Sequence, residues 1–194
     1  MGGKICKKNI LLVGPASSGK TSLLYHLKLR QFIPDFNSTD AFNYEVIMRP
    51  KDGFRYDLHT WDLSGKEELN DLWKVLYENA NIDVVTYVIN ANITDHLADD
   101  VKKIHYLMHE SSLRIAKFVI LLNVFNEADP GRLTEDYVSK QLVYDEITKA
   151  EVPPNRLHVI EINTRSGDGL ERYINEVCAF LQAQGRRLSR SPFA

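Results

Sequence analysis

Gly14-Pro15-Ala16-Ser17-Ser18-Gly19-Lys20-Thr21 stands between Asn9-Ile10-Leu11-Leu12-Val13 and Ser22-Leu23-Leu24-Tyr25-His26-Leu27. The first flank is continuous, apolar and ended by glycine, as a buried strand is. The second opens an amphipathic helix. Between them, G-x-x-x-x-G-K-[ST] has a physical purpose. Its two glycines let the chain wrap closely enough to aim successive backbone N–H groups at one polyphosphate. Lys20 then reaches the β- and γ-phosphates, and the Thr21 hydroxyl suits magnesium. The helix N-terminus adds favourable partial charge for an anion. Gly14, Ala16, Ser17, Ser18, Gly19, Lys20, Thr21 and Ser22 are therefore expected to hold the phosphates of a nucleoside di- or triphosphate.

Composition bounds the rest. With 194 residues and 44% hydrophobic content, the chain can bury one substantial core and is expected to form a single domain over 1–194. A net charge of −2 gives no bulk electrostatic case for nucleic acid. Cys6 and Cys178 are too few for a disulfide framework and lack metal-ligand spacing. No apolar run approaches the roughly 20 residues of a membrane span, and no signal-peptide core is present. A cytoplasmic protein is expected, with loose ends at about 1–7 and 185–194.

Beyond the loop, strand and helix patterns alternate, which implies an α/β fold with a mostly parallel, helix-covered sheet. Tyr44–Met48 and Phe54–Leu63 read as paired strands around a Lys51-Asp52-Gly53 turn. Helices are expected over Leu69–Tyr77, along the face Leu97, Val101, Ile104 and Met108, and over Tyr137–Ile147 and Leu170–Leu181. Ile82–Ile89, Phe118–Leu122 and Leu157–Ile162 read as further strands. Ligands on such sheets sit beyond the carboxyl ends of the strands. That rule selects the loops after Leu63, Leu122 and Ile162. In the first, Asp62 can hold a magnesium-bound water, and Gly65 lets a backbone N–H approach a γ-phosphate.

Taken together, the phosphate loop, Thr39 in Thr39-Asp40-Ala41-Phe42-Asn43, Trp61-Asp62-x-x-Gly65, Leu72-Trp73 and Ser166-Gly167-Asp168-Gly169-Leu170 resemble the ADP-ribosylation factor (Arf) and Arf-like small GTPases. The resemblance runs from about Lys8 to about Leu181. It implies a P-loop NTPase G domain, with a six-stranded, mostly parallel sheet and helices on both faces. It also implies GTP and GDP as ligands, Mg2+ as cofactor, and a switch between two nucleotide forms in intracellular trafficking. By this resemblance Thr21 and Thr39 coordinate magnesium, Gly65 senses the γ-phosphate, and Asn123, Asn126 and Thr164 face the base. Phe42 and Trp61 match apolar positions through which the family meets effector proteins, and effectors are expected there; a small satellite core is the alternative reading of the pair.

The departures carry as much information. The family has glutamine after the Asp-x-x-Gly glycine, where it orients the attacking water; here Lys66 stands in that catalytic position. An ammonium donates but cannot accept, so it cannot both receive and direct a water proton. Slow hydrolysis is expected. The family's Asn-Lys-x-Asp reads Asn123-Val124-Phe125-Asn126. Asn126 keeps one acceptor oxygen but loses a charge. Hydrogen bonds to charged groups contribute about 1.5–3 kcal/mol, so guanine preference is expected to fall tenfold or more. Asp129, in Asp129-Pro130-Gly131, reads as a turn former instead of a substitute. Thr164 is expected to offer its backbone N–H to the base carbonyl.

Other features read blandly. His105 and His109 are spaced i, i+4 as a zinc pair would be, but without a third ligand they read as solvated helix-flank residues. Arg186, Arg187 and Arg190, beside Ser189 and Ser191, form a solvated basic tail. Met1-Gly2-Gly3-Lys4-Ile5-Cys6 carries an acceptor glycine for myristate and a cysteine for palmitate, with Lys7 and Lys8 as a basic supplement. A frayed terminus is the expectation there, and peripheral membrane contact the alternative.

Three functions follow: an Arf-like GTP switch that recruits effectors while hydrolysing slowly, a degenerate G domain acting as a constitutive interaction module, and a P-loop kinase of small molecules. The last lacks an arginine-rich lid.

Overall fold

The computed structural model describes residues 4–34, 39–51, 53–145, 147 and 149–188. Gly2, Asp52 of the expected turn, and Ser189, Arg190 and Ser191 of the basic tail lie outside them. The strands are β1 (Lys4–Val13), β2 (Phe42–Lys51), β3 (Phe54–Leu63), β4 (Val84–Asn90), β5 (Lys117–Asn123), β6 (Tyr144–Asp145), β7 (Ala150–Glu151) and β8 (Leu157–Ile162). The helices are α1 (Lys20–Leu29), α2 (Asn70–Asn79), α3 (Leu97–His109), α4 (Glu135–Leu142) and α5 (Leu170–Leu188).

Six strands form one sheet in the order β2-β3-β1-β4-β5-β8. Only β2 runs antiparallel to its neighbour. The alternation in β1 explains the two-sided burial. Leu11 and Val13 enter one core with Trp73, Tyr77, Ile104, Met108 and Val138, from α2, α3 and α4. Ile10 and Leu12 enter the other with Leu23, Leu24, Tyr173, Ile174 and Val177, from α1 and α5. Successive strand residues point to opposite faces, so one continuous apolar run serves both. The six-stranded α/β G-domain architecture implied by the sequence is the one observed.

Three boundaries depart furthest from the sequence reading. β1 starts at Lys4, not Asn9, because Lys4–Leu12 pair in parallel register with Phe54–Asp62. Lys4–Lys7, expected in a loose terminus, are thus strand. Cys6 packs partly against the α1–α5 core, and Lys8 Nζ donates to Asp83 Oδ1 at 2.8 Å. At the other end, α5 continues past Gly185 to Leu188. Finally, α4 ends at Leu142, and the expected helical turn to Ile147 is replaced by a small β6–β7 hairpin. Asp145 causes the change: one oxygen accepts from the Ile147 N–H at 2.9 Å and the other meets His109 Nε2. His105, only 3% exposed, has Nε2 at 3.3 Å from the Leu142 carbonyl. The two histidines therefore fasten α3 to α4 and its hairpin; the solvated reading is corrected for the buried His105, while His109 remains exposed. No cluster of metal-ligating side chains occurs among the described residues.

Candidate nucleotide site

The phosphate loop is shaped by backbone that only certain residues adopt. Gly14 has φ 137°, and a Cβ there would lie 2.2 Å from the Val88 carbonyl oxygen on β4. Gly19 caps α1 without a side-chain hydrogen bond, so no capping group covers the first-turn N–H donors. Lys20 Nζ folds back to donate to the carbonyls of Gly14 at 2.9 Å and Pro15 at 2.7 Å. Burial pushes the Lys20 ammonium down to about 8, against the pull of Asp62 and Asp100.

At the end of β3 a second cluster forms. Thr21 Oγ1 donates to Asp62 Oδ2 at 2.8 Å. A hydroxyl has one proton, so Thr39 Oγ1, 3.0 Å from Thr21 Oγ1, is the donor in that pair. Asn43 Nδ2 completes the group, donating to Asp62 Oδ2 at 3.1 Å. Hairpin register places it there, because Asn43 and Asp62 are direct cross-strand partners. Burial pushes the Asp62 carboxyl up, opposed by the hydrogen bonds from Thr21 and Asn43 and by Lys20. Asp62 Oδ1 is buried with no partner among the described residues. Two hydroxyls and an under-satisfied carboxylate make an oxygen donor set of the type Mg2+ takes.

A cavity of about 290 Å³ lies over both clusters. Its walls are Ala16, Ser17, Gly19, Lys20, Thr21, Ser22, Thr39, Ser64, Gly65, Lys66 and Phe125. Most residues expected at the phosphates therefore converge. Gly65 lies so close to the loop that a Cβ would meet the Ala16 nitrogen at 2.4 Å. Lys66 stands at the rim, its Nζ 4.0 Å from the fully exposed Asp40 carboxylate, a pair worth little in solvent. A larger hollow, about 960 Å³ between α3 and α4, contains none of the expected site residues.

The base-facing loops depart from expectation. Asn123 does tie them together: its Nδ2 donates to the Ser18 carbonyl at 2.9 Å, while its Oδ1 accepts from Thr164 N–H at 3.1 Å. The Thr164 N–H, expected to meet a base carbonyl, thus has a partner within the protein. Asn126 stays exposed and closes a local turn, its Oδ1 accepting from Ala128 N–H at 3.2 Å. Val124 is only 4% exposed and belongs to the core, so it offers the base no cover. Asp129 is the turn former expected, with Oδ1 accepting from Gly131 N–H and Oδ2 from Asn92 Nδ2, both at 2.9 Å.

Sequence reasoning missed Asn43, Phe125, Asn92 and Asn163. Phe125 is a wall of the cavity, yet it occupies the unspecified place in the motif. Asn163 gathers the following loop: its Oδ1 accepts from Arg165 N–H at 2.9 Å and Ser166 N–H at 3.2 Å. An asparagine heading such a loop is a readable turn signal. At the outer edge, Phe42 is half exposed and lies against Trp61, with ring centroids 6.0 Å apart. Tyr44 extends the patch, 4.5 Å from Trp61. Thus Phe42 belongs to a surface aromatic group instead of a buried satellite core.

No helix among the described residues is long and apolar enough to cross a membrane. The solved structure of the Arl6 BBS3 small GTPase from Trypanosoma brucei, with bound nucleotide analogue GppNp, shares the fold with a TM-score of 0.70. That likeness covers 94% of this chain and 99% of the other at 19% identity. ADP-ribosylation factor-like protein 4D of Homo sapiens is 29% identical over 165 residues, covering 84% of this chain and 78% of its own. ADP-ribosylation factor-like protein 1 of Saccharomyces cerevisiae is 28% identical over 133 residues, 69% of this chain and 68% of its own. The sequence pattern of the ADP-ribosylation factor family matches residues 2–181. With nearly its whole length matched and a G-domain fold, this chain belongs to the ADP-ribosylation factor family of small GTPases, which are GTP-binding switches.

Proposed function

We propose that this protein is a slow-hydrolysing Arf-like switch, which binds GTP with Mg2+ and recruits effector proteins in that form. The observation that carries this is the Thr21–Thr39–Asp62 cluster beside Lys20, with Lys66 on the rim of the same cavity. Mg2+ would be held by the Thr21 and Thr39 hydroxyls, with Asp62 acting through a water. When bound, it supplies positive charge that neutralises the phosphate oxygens. Lys20 would leave the Gly14 and Pro15 carbonyls for the β- and γ-phosphates. The Gly65 N–H would meet the γ-phosphate. Phosphoryl transfer asks the protein mainly to place a water in line and to stabilise charge. Lys20 and Thr21 suit the second task; Lys66 does not suit the first. The triphosphate form is therefore long-lived, with Phe42, Tyr44 and Trp61 as the effector-facing surface. Peripheral membrane contact through Gly2 is part of this proposal.

Single-turnover GTP hydrolysis tests it. Wild type should turn over barely above background, and Lys66→Gln should raise the rate. A rate in Lys66→Gln below that of wild type would make Lys66 catalytic and overturn the reading. A constitutive interaction module, with one nucleotide or none, is the second reading, favoured by the self-satisfied base loops. Exchange of co-purified nucleotide for free GTP separates the two.

A further inference from the structure

We infer that the site stacks a base on a platform of Phe125 and Arg165 instead of reading its edge, and so takes nucleoside triphosphates with little regard to the base. This rests on the phosphate loop being a nucleotide site, as proposed above.

Strand order sets the direction of the ligand. The oxygen cluster of Asp62 lies at the end of β3, on one flank of the phosphate loop. The ends of β5 and β8 lie on the other flank, beyond β4. A nucleotide with its phosphates in the loop and its metal at Thr21 extends its base toward Asn123–Asn126 and Asn163–Gly167. The cavity of about 290 Å³ is at the small end for a ligand site, enough for phosphates with the base at the mouth.

At that mouth several of the hydrogen-bonding atoms are engaged within the protein itself. Thr164 N–H is on Asn123 Oδ1, and Arg165 and Ser166 N–H share Asn163 Oδ1. Gly167 N–H donates to the Asn163 carbonyl at 2.8 Å. Asn126 Oδ1 is on Ala128 N–H. Breaking these to read a base edge would leave donors and acceptors unpaired, which costs more than the new bond returns. Beside the exposed Asn126 amide nitrogen, two flat groups face the mouth. The Phe125 ring is half-buried in the cavity wall, its tip 3.1 Å from where a Cβ on Gly19 would lie. Its backbone is fixed, since Phe125 N–H donates to Asn92 Oδ1 at 2.9 Å. The exposed Arg165 guanidinium lies 5.5 Å from the ring centroid. Aromatic rings and guanidinium planes stack on every base, and such contacts discriminate weakly.

The experiment is calorimetry of the full chain with Mg2+ complexes of GTP, ATP, CTP, UTP and inorganic tripolyphosphate. In wild type the four nucleotides should bind within about tenfold of one another, and all tighter than tripolyphosphate. Phe125→Ala should weaken all four by about tenfold and leave tripolyphosphate unchanged, which also shows that the variant is folded. Arg165→Lys keeps the charge and removes the plane; it should weaken nucleotides but not tripolyphosphate. GTP binding more than tenfold tighter than the other three would overturn the inference. So would Phe125→Ala that strengthens nucleotide binding, leaves it unchanged, or weakens tripolyphosphate equally. If neither nucleotides nor tripolyphosphate bind, the reading of the phosphate loop falls as well, which separates the two failures.

Discussion

Thr21 Oγ1 and Asp62 Oδ2 are 2.8 Å apart across 41 residues of sequence, joining the first turn of α1 to the end of β3. The contact holds two oxygen donors together and leaves Asp62 Oδ1 unpartnered among the described residues. An exchange of that hydrogen bond for a cation is chemically balanced: the hydroxyl turns its lone pair, and the carboxylate keeps a polar partner.

Magnesium linkage follows. Thr21→Val and Asp62→Asn should each reduce by at least tenfold the gain that Mg2+ brings to GTP binding. Affinity without Mg2+ should change little. Titration in the presence and absence of EDTA measures both quantities. Equal losses with and without metal would assign these residues a purely structural role.

Lys20 gives a pH signature. Burial holds its ammonium at about 8 in the free protein, against an ordinary value of 10.5. Phosphate oxygens beside it raise that value, so nucleotide binding takes up a proton above about pH 8 and none well below it. Calorimetry in buffers of different ionisation enthalpy should detect the uptake, and Lys20→Met should abolish it along with tight binding. Stability follows the same linkage. Between 8 and 10.5 the unfolded chain holds more protons, so stability of the free protein rises with pH across that window. The Lys20→Met variant should lack this rise, which is worth roughly 3 kcal/mol at most.

Restoring the family's base motif should fail. Val124 is buried in the core, and Asn126 already satisfies the Ala128 N–H. Val124→Lys with Asn126→Asp should cost on the order of 3 kcal/mol by urea denaturation, without raising the GTP-to-ATP affinity ratio. A stable double variant with strong guanine preference would show that the loop reopens at little cost.

Asp145 provides an acid-side test. Desolvation pushes its carboxyl up, but hydrogen bonds from His109 and the Ile147 N–H outweigh it and hold the carboxyl below its ordinary 3.8. A depressed carboxylate contributes stability above its unfolded value and loses it as pH falls through the folded one. Asp145→Asn should destabilise by about 1 kcal/mol near neutral pH and show no difference from wild type in strong acid. Denaturation curves at both extremes decide it.

The parts legible in the sequence were those fixed by local chemistry. The phosphate loop announces itself because its strand, glycines and helix are contiguous, and Asp62 with Gly65 follows a recognisable strand. Asn43 was invisible, because only the β2–β3 register brings it opposite Asp62. The hydrogen bonding of the loops after β5 and β8 was illegible for a related reason. Which way an asparagine or a backbone N–H points depends on what else competes for it, and here Asn92, Asn123 and Asn163 win that competition. His105 was misread because its burial depends on where α4 ends, and by apolar spacing alone the hairpin there looks like one more turn of α4.

The early start of β1 has a mechanical consequence. Its ten residues at about 3.3 Å each place Lys4 roughly 30 Å from the phosphate loop, at the opposite pole of the sheet. Any tether joined ahead of Lys4 therefore grips the molecule by its base, as a stem holds a cup. The open rim, with the cavity and the Phe42–Trp61 edge, is the pole farthest from Lys4, so on the function proposed above such a tether would leave nucleotide exchange and partner docking unobstructed.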